Sequence, residues 1–148
     1  MSETAPSTEE VDTTFQVVEF TLGSDTYCVS IDRIAELVDM QDLTTIPNSP
    51  EHVRGIMDLR GKTTSVIDPK VVLDIGEEGP EERVIVFGDG EGNQGEVGWI
   101  VDEVNEVISF TQDQIDTGSG EQSQHVIGII KASDEFKVWL DPDAINAH

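Results

Sequence analysis

The chain contains two copies of one pattern, and this duplication limits its fold more than any other feature. Cys28-Val29-Ser30-Ile31-Asp32-Arg33-Ile34-Ala35-Glu36-Leu37-Val38 aligns without gaps on Gly98-Trp99-Ile100-Val101-Asp102-Glu103-Val104-Asn105-Glu106-Val107-Ile108. His52-Val53-Arg54-Gly55-Ile56 aligns on His125-Val126-Ile127-Gly128-Ile129, and Ile67-Asp68-Pro69 on Leu140-Asp141-Pro142. The offset is 70 residues in the first block and 73 in the other two, so an insertion separates them. That period is too long for a solenoid repeat and implies two copies of a small domain. In this frame Arg60-Gly61 falls on Ser133-Asp134. The scaffold repeats, and the arginine does not.

A copy of about 70 residues is marginally stable alone, so the two are expected to share an interface and fold as one unit. Phe15 to Leu22 reads as a strand, Gly23-Ser24-Asp25 as a turn and Tyr27 to Ile31 as the hairpin partner. Ile31, Ile34, Leu37 and Val38 carry helical spacing briefly and suggest one helical turn. Val53 to Leu59 is expected as a strand with Val53, Gly55, Met57 and Leu59 on one face, Arg60-Gly61-Lys62 as a tip, and Thr63 to Ile67 as the return. Arg83 to Phe87 and Gly95 to Val101 open the second copy. The expected architecture is all-β: two five-stranded barrels packed together, at about residues 14–80 and 83–146 within a domain spanning 13–148. A disordered tail is expected at residues 1–12, and a linker at Gly76 to Glu82.

The chain carries 31 acidic and 8 basic residues, a net charge of −23. Such a surface repels phosphate backbones and anionic lipid, which argues against nucleic acid and direct membrane contact. The apolar fraction of 36% falls in patterned runs, so the charge does not imply disorder. The acid is spread evenly and lysine is depleted, which suggests a halophilic archaeon with a cytoplasm at molar salt. There the Debye length is about 3 Å and self-repulsion is screened. Residues 1–10 have neither the apolar nor the basic region of a signal peptide, and no run reaches a membrane span. A cytoplasmic protein is expected.

Most candidate motifs have structural explanations. Cys28 is the only cysteine, so no intramolecular disulfide exists, and its apolar neighbours suggest a core position. Asp68-Pro69 and Asp141-Pro142 read as helix N-caps with proline in the first turn. Gly88 to Gly95 lacks the residues of a phosphate loop or an EF-hand and reads as a hairpin loop. His52 and His125 recur at one point of each copy, which suggests a scaffold role. No histidine has a second ligand at metal spacing, and no serine lies on a nucleophile elbow. No catalytic residue, metal or cofactor is expected.

What remains is Gly55-Ile56-Met57-Asp58-Leu59-Arg60-Gly61, with Ile46-Pro47 before it and Val66-Ile67-Asp68 after it. This resembles the signature of the CheW family of chemotaxis adaptors, Gly-x-x-Asn-Leu-Arg-Gly followed by Pro-Val-Ile-Asp-Leu, and the likeness covers about residues 14 to 146. Asp58, Ser65 and Pro69 replace the family's usual Asn, Pro and Leu. The resemblance implies two five-stranded SH3-like barrels and a non-catalytic bridge between methyl-accepting chemotaxis receptors and the histidine kinase CheA. It implies that the receptor's hairpin tip lies between the barrels and that the kinase's regulatory domain docks on barrel ends. It places Ile34, Glu36, Gly55 and Arg60 at the receptor side, with Arg60 able to pair with Glu36 or to fork onto a receptor group. Asp58 would add charge near Arg60. Two alternatives remain: a CheW-like regulatory domain of a kinase, which the Met1 start disfavours, and a small acidic β-barrel hydrolase or ligand-binding protein.

Overall fold

The computed structural model describes residues 14–88, 96–116, 124–132 and 134–147. The expected tail, loop residues 89–95, Ser133 and His148 lie outside these. The strands are β1 (Thr14–Leu22), β2 (Asp25–Ser30), β3 (Ile34–Asp39), β4 (Val53–Leu59), β5 (Lys62–Ile67) and β6 (Arg83–Phe87). They continue with β7 (Glu96–Val101), β8 (Glu103–Thr111), β9 (Ile115–Asp116), β10 (Val126–Ala132) and β11 (Glu135–Leu140). Two short helices, α1 (Pro69–Leu73) and α2 (Pro142–Asn146), end the two copies. The helical spacing after Ile31 yields only one 3₁₀ turn, Ile31–Arg33. Leu37 and Val38 belong to a strand that meets apolar partners on both faces.

The sheets do not follow the sequence halves. One has the order β8-β1-β2-β11-β10-β9 and the other β3-β6-β7-β5-β4. Under the duplication β2 corresponds to β7, β3 to β8, β4 to β10 and β5 to β11. Each copy has therefore exchanged its opening hairpin with the other. We call the sheet holding the first and last strands the terminal barrel and the other the central barrel. The boundary expected near residue 80 is corrected accordingly: β1–β2 belongs with the second copy and β6–β7 with the first. Composition and periodicity are blind to this exchange, because either hairpin presents the same alternation to either sheet.

Both sheets close in the same way. After β3 the chain turns and Thr44 bridges Ile56 on the far edge strand β4. After β8 one 3₁₀ turn, Gln112–Gln114, brings β9 onto β10. Gly55 makes the first closure possible. Its φ is +150°, and a Cβ there would stand 2.6 Å from the Thr44 carbonyl oxygen. A register irregularity at Arg54 turns Val53 toward the space between the barrels while Met57 and Leu59 face the central barrel's interior, so the expected single face is split.

Three apolar clusters follow from strands buried on both sides, which is why the segments read as nearly continuous hydrophobic runs. Val66, Val84, Val86 and Ile100 fill the central barrel. Val17, Cys28, Phe110, Ile130 and Trp139 fill the terminal one. Between them lie Phe20, Val29, Ile85, Phe87, Trp99 and Leu140, with Val72 of α1 and Ile145 of α2. Burying each such side chain contributes about 1.5–3 kcal/mol relative to exposure, so the barrels are held as one body. Burial pushes the Cys28 thiol up to about 12, the behaviour of a core residue and not of a nucleophile.

The helix caps are as expected. Asp68 accepts from the Lys70 N–H and Asp141 from the Asp143 N–H, both at 3.0 Å, each ahead of a proline at the helix start. The repeated histidines belong to the same device. The His52 carbonyl accepts from the Asp68 N–H and the His125 carbonyl from the Asp141 N–H, both at 2.8 Å.

Candidate functional site at the β4–β5 tip

The tip of β4–β5 is a tight two-residue turn in which Arg60 and Gly61 have φ of 55° and 86°. Two successive positive φ values match the twist of the flanking strands. Glycine adopts them freely, whereas an L-residue such as Arg60 is held there at a cost of about 1–2 kcal/mol. Asp58 secures the turn, with Oδ1 accepting from the Gly61 N–H at 2.9 Å. An asparagine carbonyl would serve equally, which accounts for this replacement. Asp58 is held by the turn, and the carboxylate partner of Arg60 is Glu36.

Arg60 Nη2 lies 2.7 and 2.5 Å from Glu36 Oε1 and Oε2. Glu36 reaches it because the β3–β6 register slips at Ala35. That slip sends Ile34 toward the inter-barrel cluster and puts Glu36 on the face that Val38 shares with the central barrel's interior. Glu36 raises the guanidinium pKa further above its ordinary value, so Arg60 is a permanent cation. Beside it Lys62 approaches Glu96 at 3.6 Å.

Among the described residues, seven basic side chains hold a carboxylate. Among those seven Arg60 is the most exposed, at 72% of its side chain, against 24% for Glu36. A guanidinium so placed can exchange Glu36 for a carboxylate or amide on a partner without any rearrangement of the core. Of the four residues picked from the sequence, the structure brings Glu36 and Arg60 together. Ile34 is half-buried against the inter-barrel cluster, and Gly55 is buried at the closure. Among the described residues no group of His, Cys, Asp and Glu is arranged to hold a metal. No helix among them is long and apolar enough to cross a membrane.

Sequence reasoning missed the buried ion pairs. Lys70 Nζ lies 3.0 Å from Asp102 Oδ2, and Lys137 Nζ lies 3.2 Å from Glu19 Oε1. The available signal was scarcity: with so few cations, a lysine inside an apolar strand or helix start has a partner to find.

The structure is a two-barrel fold with exchanged hairpins and an arginine-tipped hairpin on one barrel. Comparison with known proteins places it in a family. Residues 16–148 match the family described as CheW-like domain. The chain is 30% identical over 144 residues to the chemotaxis protein CheW of Bacillus subtilis, covering 93% of this chain and 90% of that one. It is 26% identical over 136 residues to the chemotaxis protein CheW of Thermotoga maritima, covering 88% and 87%. The crystal structure of scaffolding protein TtCheW from Thermoanaerobacter tengcongensis superposes with a TM-score of 0.77 at 31% identity, covering 86% of this chain and 84% of that one. The chain belongs to the CheW-like family.

Proposed function

We propose that the protein is a chemotaxis adaptor that couples methyl-accepting receptors to the regulatory domain of the histidine kinase CheA and catalyses no reaction itself. It works in the cytoplasm and is recruited to receptor arrays at the membrane. The observation that carries this reading is the family match over residues 16–148, joined to an exposed arginine that the scaffold does not require. In this reading the receptor's hairpin tip meets the Glu36–Arg60 pair. Ile34 supplies apolar contact at the border of the inter-barrel cluster, and Gly55 acts through the closure it permits. The kinase docks on barrel ends.

Arg60→Ala tests the receptor side. The variant is expected to keep the parent's near-ultraviolet spectrum and its binding to CheA, while its affinity for a receptor hairpin fragment falls about tenfold to a hundredfold, as for a lost charge-assisted hydrogen bond. Unchanged receptor affinity in a folded variant would remove Arg60 from the site.

A further inference from the structure

The duplication provides an internal standard against which the terminal barrel is anomalous. In the central barrel the parallel ladder between β5 and β7 has four registers, Thr64–Glu96, Ser65–Val97, Val66–Gly98 and Ile67–Trp99. The equivalent β11–β2 ladder keeps only Val138–Tyr27 and Trp139–Cys28. The ladder lacks both end pairs, Lys137–Thr26 and Leu140–Val29, which correspond to Thr64–Glu96 and Ile67–Trp99; the second lies in the buried core and the first toward the surface. A cleft of about 630 Å³ opens between Ser24–Tyr27 and Glu135–Val138, with Glu19 at its floor. The edges of β2 and β11 that face it have no ladder partner at this level.

One wall carries Phe136, 68% exposed and the most exposed large apolar side chain among the described residues. Its counterpart by the 73-residue offset is the exposed Thr63, so nothing in the shared scaffold calls for an aromatic ring at this position. Phe136 extends the face of β11 that carries Val138 and Leu140 into the inter-barrel cluster, beside Tyr27 of the same cluster. The cleft is also negative. Glu19, Asp25 and Glu135 line it against one cation, Lys137, which Glu19 and Glu135 already hold at 3.2 and 3.0 Å.

We propose that this cleft docks an extended segment of a protein partner in which lysine or arginine alternates with apolar residues. The apolar residues cover Phe136, Tyr27 and Val138, and the cations meet Asp25 and Glu135. Main-chain groups of the segment meet the strand edges that the missing Lys137–Thr26 pair leaves open. A second copy of this chain is a poor occupant, because it carries 31 acidic residues against 8 basic ones and would be repelled by an acidic cleft. The cleft lies on the other barrel from Glu36 and Arg60, so the proposal stands apart from the receptor site.

The test is a nuclear magnetic resonance titration of the isotope-labelled full chain with a short blocked peptide alternating valine and arginine. A valine–glutamate counterpart is the control. The titration is run in about 1 M salt, where the Debye length of about 3 Å suppresses diffuse attraction to the acidic surface. The basic peptide is expected to shift Ser24–Tyr27 and Glu135–Val138, and the acidic one to shift nothing. Phe136→Ser, at a position too exposed to matter for folding, is expected to weaken binding about fivefold or more, while Phe136→Leu retains most of it. Shifts scattered over the surface, shifts indifferent to Phe136→Ser, or no shift at about 1 mM peptide would each overturn the proposal. Concentration-dependent shifts of the same residues without peptide would assign the cleft to a second copy and overturn it too. Phe136→Ser leaves Arg60-dependent receptor binding intact, so either reading can fail without the other.

Discussion

Asp102→Ala is the substitution by which the assembled fold can be challenged most directly. Asp102 sits at the crossing from β7 to β8 with 2% of its side chain exposed, against Lys70 at 8%. Its Oδ2 accepts from the Gly23 N–H in the β1–β2 turn at 2.7 Å, and its Oδ1 from the Glu81 N–H of the inter-copy segment at 3.0 Å. Lys70 of α1 completes the set at 3.0 and 3.2 Å. One carboxylate thus joins the exchanged hairpin, the strand crossing, the helix and the connecting segment. Removing it strands a buried ammonium, which costs about 3–5 kcal/mol. Two N–H groups also lose their acceptor, and these losses overlap with the first because water enters the same space. For a chain of this length about 4 kcal/mol lowers the melting temperature by roughly 8–16 °C. Thermal unfolding in molar salt, followed by the near-ultraviolet signal of Trp99 and Trp139, measures it. Lys70→Met combined with Asp102→Asn removes both charges and is expected to restore much of the loss, because the penalty comes chiefly from the uncompensated ammonium. A melting temperature within about 2 °C of the parent for Asp102→Ala would refute the reasoning.

Gly55→Ala is expected to destabilise the chain by about 1–3 kcal/mol, because φ of +150° and a carbonyl 2.6 Å from the new Cβ both resist it; denaturant titration measures the loss. Separate fragments 1–80 and 81–148 are each expected to be unfolded alone and to recover a native spectrum on mixing, since each lacks the hairpin its sheet needs; cooperative melting of either fragment by itself would contradict the exchange. Dialysis from molar salt to 10 mM is expected to unfold the chain, as the Debye length grows from about 3 to about 30 Å around 31 carboxylates. A native spectrum retained at low salt and neutral pH would end the halophilic reading and leave the adaptor assignment standing.

The sequence was most informative where one residue type serves one local purpose. The strands over 53–59 and 83–87 and the two Asp-Pro caps were legible because alternation, turn chemistry and capping act within a few residues. Arg60 stood out as a candidate through its absence from the second copy, and its pairing with Glu36 was legible through the family resemblance. Long-range choices left no trace. Which hairpin joins which sheet depends on pairings between distant strands, and two duplicated hairpins offer the same pattern to either choice. The register slips at Ala35 and Arg54 also escaped, since one extra residue changes which face a side chain occupies without changing composition. The buried Lys70 and Lys137 were hidden by the general rule that lysine lies outside.

The exchange of hairpins also explains where the two copies were free to differ. Each sheet is built from both copies, so a change in a strand core of one must suit the other, and Val29, Ile67, Trp99 and Leu140 all meet in one cluster. The β4–β5 and β10–β11 tips lie beyond that mutual constraint. There the central barrel carries Arg60 and Lys62, and the terminal barrel carries Glu135 and the exposed Phe136. One duplicated frame thus presents an ion-paired tip carrying an exposed arginine and an acidic, apolar tip, at equivalent ends of two barrels whose relative position is fixed by a shared core and by Asp102. Two unlike surfaces held at a fixed separation are what the proposed joining of two partners requires.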